Sequence, residues 1–169
     1  LYVEPYYATY PSTLRAQNLH ARSVPTRAKY GFEPQKEDLE PLMRDAHSLL
    51  INSPNNPSGT VYSRQTHEMI ANLCKLHDLW LISDEVYDTQ MWAGAHFSPL
   101  ALPDMAERTL VIGSMSKSHA MTGSRVGWIV GPEDMISKLI DLATNTTYGV
   151  PGFIQEGALY GLSLGTSFE

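Results

Sequence analysis

Four short runs of almost purely apolar residues mark this chain, at 49–51 (LLI), 79–82 (LWLI), 110–112 (LVI) and 127–131 (GWIVG). Such runs are too short for buried helices and read as strands; lacking polar alternation, they fit a sheet covered on both faces. Helical patterns separate or flank them. Ser63 caps a segment at 64–77 whose apolar face is Ile70, Leu73, Cys74 and Leu76. A second pattern spans 31–48 around Leu39, Leu42, Met43 and Ala46. Pro132 opens a third through 143, and 153–164 gives a last one. Short extended stretches at 1–3 and 23–27, with a helix at 14–22, complete the first part. The prolines at 5 and 11 bound an expected loop, and 88–106 is loop-rich. Buried strands alternating with amphipathic helices define an α/β fold: a mostly parallel sheet with helices on both faces and right-handed crossovers.

Open α/β sheets bind ligands where their strands end, so the residues after these runs are the candidates. After 110–112 come Ser114, Ser116 and Lys117, and Arg125 follows within a Gly-x-Arg-x-Gly frame. A lysine becomes a useful nucleophile where burial or nearby positive charge destabilises its ammonium. Hydroxyls, a guanidinium and a glycine-permitted backbone suit a phosphate dianion. An amine nucleophile beside a phosphate site is what covalent holding of pyridoxal phosphate requires. After 79–82 stand Asp84 and Tyr87; a carboxylate there serves equally to cap a turn. After 49–51 comes the dense turn NSPNNPSG, which taken alone is only a tight loop. Tyr6, Tyr7 and Tyr10 between prolines read alone as surface packing.

In this order and spacing the clusters resemble the class I/II aminotransferases, the fold-type-I pyridoxal phosphate enzymes, over residues 5–162. The most specific part is Ser-x-Ser-Lys…Gly-x-Arg-x-Gly. Asn56-Pro57-Ser58-Gly59 matches the family's Asn-Pro-Thr-Gly, with serine for threonine. The resemblance implies that Tyr7 stacks on the cofactor ring and that Asn56 and Tyr87 reach its phenolic oxygen. Asp84 would pair with the ring nitrogen, and Ser114, Ser116 and Arg125 would hold the phosphate. Lys117 would attach the cofactor and later act as general base. Lys117, Tyr87 and Asp84 are thus the expected catalytic residues.

The same resemblance implies amino-group exchange between an amino acid and a 2-oxo acid, in a homodimer. Residues 1–169 would form a piece of the cofactor-binding large domain. The glycine-rich phosphate loop, the arginine that grips substrate carboxylate and a tyrosine from the partner subunit would lie outside this piece. HDLWLISDEVY and SMSKSHAMTGSRVGW are most similar to bacterial arginine–pyruvate and aspartate-type aminotransferases. Carbon–sulfur β-lyases and cyclopropane-forming synthases share these residues, and so would an aminotransferase-like sensor domain of a transcriptional regulator. Ser124 departs from the pattern, standing where relatives commonly carry tryptophan, and a smaller residue there loosens packing under Arg125.

Composition narrows the partners. A formal charge of −6 without a basic cluster argues against nucleic acid. No apolar run approaches the roughly 18 residues of a membrane span. Cys74 is the only cysteine, so no disulfide framework or cysteine metal site is expected, and a reducing cytoplasm is the default location. No metal ligand set is evident. Glu85 reads as structural, and His47, His67, His77 and His96 are given no chemistry, with His67 and His77 placed on or near the polar side of their helix.

Overall fold

A computed structural model describes residues 1–165. Six strands form one sheet in the order β2-β1-β3-β4-β5-β6: β1 (Tyr2–Val3), β2 (Ser23–Val24), β3 (Ser48–Asn52), β4 (Trp80–Asp84), β5 (Thr109–Ser114) and β6 (Gly127–Val130). All pairings are parallel except β5 with β6, which is antiparallel, with Ser114 opposite Gly127. The mostly parallel expectation therefore holds. The chain first pairs β2 with one side of β1 and then places β3 on the other. The strand order thus reverses at β1, where such sheets offer a crevice.

Among the described residues six helices accompany the sheet: α1 (Tyr10–Ala16), α2 (Lys36–Met43), α3 (Arg64–Leu76), α4 (Met115–Ser118), α5 (Glu133–Thr146) and α6 (Gly152–Ser163). Leu39 and Met43 of α2 and Ile70, Leu73 and Cys74 of α3 close over Val3, Leu49, Ile51 and Leu81. Each fully buried aliphatic side chain contributes about 1.5–3 kcal/mol, so this face anchors the domain. Cys74 is part of that core, and burial pushes its thiol up to about 12. The opposite face is less covered. Leu50 and Ile82 are half-buried and, with Leu14 of α1, line an open cleft. The two-sided burial expected from the wholly apolar strands is thus only partly supplied by the described residues.

Helix α3 starts where its sequence directs. The Ser63 hydroxyl accepts from the Thr66 N–H at 3.2 Å, and Glu33 accepts from both the N–H and the hydroxyl of Ser63. Elsewhere local pattern misplaced the boundaries. The helix expected over 31–48 occupies only Lys36–Met43, because Gly31 ends a 3-10 turn in the left-handed region and Gln35 is extended. The helix expected over 14–22 begins instead at Tyr10. Pro11, read as loop punctuation, sits in its first turn, where the missing N–H costs nothing.

His67 also departs from expectation. It is not on the polar side of α3 but 1% exposed, between the rings of Tyr62 and Phe97. Neither ring nitrogen meets a hydrogen-bond partner among the described residues. Burial lowers its pKa from 6.5 to about 4. A base with a depressed folded pKa stays neutral when folded but takes up a proton when unfolded below pH 6.5. Its burial is therefore tolerated above that pH and penalised progressively as pH falls toward 4. The loss on acidification is expected to be on the order of 3 kcal/mol. Urea unfolding of His67→Met should show a flatter stability profile between pH 6.5 and 4 than the unsubstituted protein.

Candidate active site

The site is assembled from the C-terminal ends of the parallel strands. One cavity of about 210 Å³ is lined by Tyr7, Asn52, Asn56, Asp84, Val86, Tyr87, Ser114, Ser116, Lys117, Thr122 and Arg125. All eight residues singled out from the sequence therefore meet in a single place. Asn52, Val86 and Thr122 are additions.

The side chains from β3 and β4 are tied together. Asn52, buried at the end of β3, donates from Nδ2 to the Asp84 carbonyl at 3.0 Å and accepts from the Asn56 N–H at 2.8 Å. This fixes the turn after β3 against the end of β4. Asn56 Nδ2 then donates to the Tyr87 hydroxyl at 3.1 Å, so the amide and phenol converge on one spot. Asn55 holds the turn from within, accepting from the N–H and hydroxyl of Ser58 and donating to the Pro5 carbonyl at 3.1 Å. The serine that replaces the family's threonine thus keeps its hydroxyl in use.

Asp84 is largely buried, and desolvation holds its carboxyl above the usual range. Two donors oppose that effect: the Tyr10 hydroxyl at Oδ2, and the Val86 N–H at Oδ1 at 3.3 Å. The neighbouring Glu85 is occupied elsewhere. It accepts from Ser98 Oγ at 2.8 Å and lies 2.7 Å from His96 Nε2. His96, expected to be a plain loop residue, is one half of this buried pair and ties the loop after β4 back to the strand.

The segment after β5 forms the third wall. The Ser114 hydroxyl caps α4, accepting from the Ser116 N–H at 3.0 Å and donating to the Val126 carbonyl at 3.3 Å. Lys117 projects from α4 with its ammonium 5.7 Å from the centre of the Tyr87 ring. Gln90, from the loop after β4, donates to the Lys117 carbonyl at 3.1 Å. Lys117 is exposed, so the desolvation expected for a lysine nucleophile is not supplied by the described residues. Arg125 is exposed as well, adopts the left-handed conformation (φ 54°), and donates to the Thr122 carbonyl at 2.8 Å. Ser124 lies just before it in a 3-10 turn, half-buried.

The two glycines framing Arg125 are not equivalent. A Cβ at Gly123 would meet open space, whereas one at Gly127 would fall 2.7 Å from the Gly113 carbonyl oxygen. Only the second is needed for the close approach of β6 to β5. Gly127→Ala is expected to destabilise the protein by about 1–3 kcal/mol, as overpacking against rigid backbone does, measurable as a lower urea midpoint.

Tyr10 and Asn52 were not identified from sequence. The signal for Asn52 was its place as the first polar residue after an apolar run. Tyr10 follows Tyr7 by three residues, and a turn closed by the Tyr10 N–H on the Tyr7 carbonyl at 3.0 Å brings the two together just before α1.

A doubly wound sheet carrying lysine, arginine, hydroxyls, a half-buried carboxylate and an amide–phenol pair at its strand ends defines a class. The chain belongs to the aminotransferase class I and II family, whose model matches residues 1–164. It is 47% identical over 156 residues to the arginine–pyruvate transaminase AruH of Pseudomonas aeruginosa, covering 92% of this chain and 40% of that protein. It is 34% identical over 146 residues to the aspartate/prephenate aminotransferase of Thermus thermophilus, covering 86% of this chain and 37% of that one. Among solved structures, aspartate aminotransferase from Thermotoga maritima superposes with a TM-score of 0.91 at 32% identity, over 96% of this chain and 44% of that one. The chain thus spans about two fifths of the length of the relatives it matches. No helix among the described residues is long and apolar enough to cross a membrane.

Proposed function

We propose that the complete protein is a pyridoxal 5′-phosphate-dependent aminotransferase that moves an amino group between an amino acid and a 2-oxo acid. In this reading residues 1–169 form part of its cofactor-binding domain. The carrying observation is the convergence of Tyr7, Asn56, Asp84, Tyr87, Ser114, Ser116, Lys117 and Arg125 on one cavity. The donor set fits the cofactor: cation and hydroxyls for a phosphate, a half-buried carboxylate for a protonated pyridine nitrogen, an amide and a phenol for a phenolic oxygen. An exposed aromatic ring, Tyr7, is available for stacking. When bound, pyridoxal phosphate supplies an aldehyde for amine attachment and a ring that withdraws electrons.

The residues of this chain then have distinct tasks. Arg125 and Ser116 hold the phosphate, with Ser114 shaping the turn that presents them. Asp84 would hold a proton on the ring nitrogen by charge pairing. Asn56 and Tyr87, already hydrogen-bonded to each other, orient the ring through its oxygen. Lys117 Nζ would supply the amine to which the cofactor attaches and, as a free amine, would take up the proton that leaves the substrate α-carbon. The amine must be unprotonated for both tasks. Because Lys117 is exposed here, the remainder of the protein or a partner subunit completes its surroundings, in keeping with a homodimer.

The test uses the complete protein. Pyridoxal phosphate is added, the mixture is reduced with borohydride, and the pyridoxyl-modified peptide is mapped. Selective modification of Lys117 is the expected result; modification scattered over Lys75 and Lys138, or none, would overturn the reading. Incubation with amino acids, with and without a 2-oxo acid, separates transfer from lyase chemistry, because only a lyase releases pyruvate and ammonia without an acceptor.

A further inference from the structure

The structure assigns Tyr10 as the positioning residue of Asp84: its hydroxyl donates to Oδ2 and holds the carboxylate ionised and aimed into the cavity. The inference rests on the proposed pairing of Asp84 with a pyridine nitrogen and extends it to a residue that does not line the cavity itself.

Three observations carry it. Each carboxylate oxygen of Asp84 has one donor, Tyr10 on Oδ2 and the Val86 N–H on Oδ1 at 3.3 Å. The backbone carbonyl of Asp84 is held separately, by Asn52 Nδ2 at 3.0 Å and the Ser53 N–H at 3.2 Å, so the strand end is fixed without Tyr10. What Tyr10 adds is therefore confined to the side chain. The Val86 bond is long, which leaves the phenol as the stronger donor.

Second, the phenol is a constant donor. Burial, and next the charge of Asp84, hold its proton far above the ordinary range, so it does not ionise at any working pH. A hydrogen bond to the charged form of a carboxyl favours that form, opposing the desolvation that otherwise neutralises Asp84. Other charges nearby do not replace it. Glu85 pushes in the opposite direction, and its own partners are His96 and Ser98.

Third, the Tyr10 N–H donates to the Tyr7 carbonyl at 3.0 Å across the turn that leads into α1, and their rings meet edge to face, with centroids 5.8 Å apart and planes at 74°. The turn entering α1 thus presents the Tyr7 ring to one wall of the cavity while Tyr10 sets the carboxylate of another. A Tyr10→Phe substitution keeps the ring contact and removes only the donor.

The experiment is a carboxyl titration of the cofactor-free complete protein, followed by ¹³C NMR with Asp84→Asn to assign the resonance. Tyr10→Phe is expected to move the half-protonation pH of Asp84 upward by about one unit. It should also weaken pyridoxal phosphate binding, by up to about tenfold at pH values where Asp84 of the variant is protonated, with the deficit vanishing as pH rises above its half-protonation point. A purely structural role predicts neither change, since phenylalanine preserves the packing. In the unsubstituted protein the Tyr10 Cζ resonance should follow the Asp84 titration and become insensitive to acid in Asp84→Asn. This arm decides the matter even if Tyr10→Phe fails to fold. An unchanged Asp84 titration in Tyr10→Phe, or a Tyr10 resonance that ignores Asp84, overturns the role of Tyr10 whatever the cofactor does. Absence of pyridoxal phosphate binding by the unsubstituted protein instead overturns the functional reading, and the titration still decides whether Tyr10 controls the carboxyl.

Discussion

Replacing Lys117 by alanine is expected to lower the amino-transfer rate of the complete protein by at least about 10⁴-fold, the upper range for losing a positioned proton carrier. The effect is large because one amine carries two tasks. In the proposed reading it would attach the cofactor between turnovers and would move the α-proton of the substrate. No other amine among the described residues lines the cavity. Cofactor affinity should fall much less, because Arg125, Ser116, Asn56, Asp84 and Tyr87 remain. Lys117→Arg, which keeps the charge but offers no nucleophile, should be as inactive as the alanine variant. Steady-state kinetics and equilibrium binding of pyridoxal phosphate check the two halves separately. A loss of less than tenfold in rate would remove Lys117 from its proposed role.

Asp84→Asn should separate activity from stability. Asparagine Oδ1 can still accept from the Val86 N–H, and its Nδ2 can donate to the Tyr10 hydroxyl oxygen once that hydroxyl turns, so the packing is kept while the charge is removed. Without that charge the ring nitrogen of the cofactor loses its proton partner, and transfer should fall by about 10²–10³-fold, as when one electrostatic stabiliser is removed. Stability should change in the other direction. The folded pKa of Asp84 is raised, so the folded chain binds the proton more tightly than the unfolded one. The resulting penalty on folding is absent below the ordinary value of 3.8 and is fully present once pH exceeds the raised folded pKa. A neutral side chain removes the penalty. The cofactor-free variant should therefore be more stable at pH 7 by about 0.5–2 kcal/mol, with the advantage fading at or below pH 4. Urea unfolding at the two pH values reads this directly. A variant less stable at pH 7 would show that the ionised carboxylate is not under strain in the fold.

Much of this molecule was legible in its sequence. Runs such as LLI at 49–51 and LWLI at 79–82 are strands because nothing in them can face water, and Ser63 starts α3 because its hydroxyl meets a free N–H. The residues that follow these runs had to gather at one edge of a parallel sheet, and Asn56, Asp84, Tyr87, Ser116 and Lys117 do. Local chemistry was sufficient for these because each depends on its immediate neighbours and on strand direction alone.

Other features were decided only by contacts distant in the chain. The stretch up to Pro11 reads in sequence as a loop, yet Tyr10 and Pro11 begin α1. Its helical state accompanies a hydrogen bond from Tyr10 to a residue 74 positions away. The direction of β6 was also open, since residues 115–126 are long enough for either orientation; α4 and a 3-10 turn reverse the chain there and make it antiparallel. His67 has a polar side chain on an amphipathic helix, yet Tyr62 and Phe97 enclose it. Sequence by itself determined which segments are strands, in what order they deliver their polar residues, and which chemistry those residues can support, because hydrophobic period and side-chain functional groups are local properties. The tertiary structure alone decided which donor holds the Asp84 carboxylate, how exposed Lys117 is and which face of the sheet is covered, because burial and hydrogen-bond partners depend on what the rest of the chain places nearby.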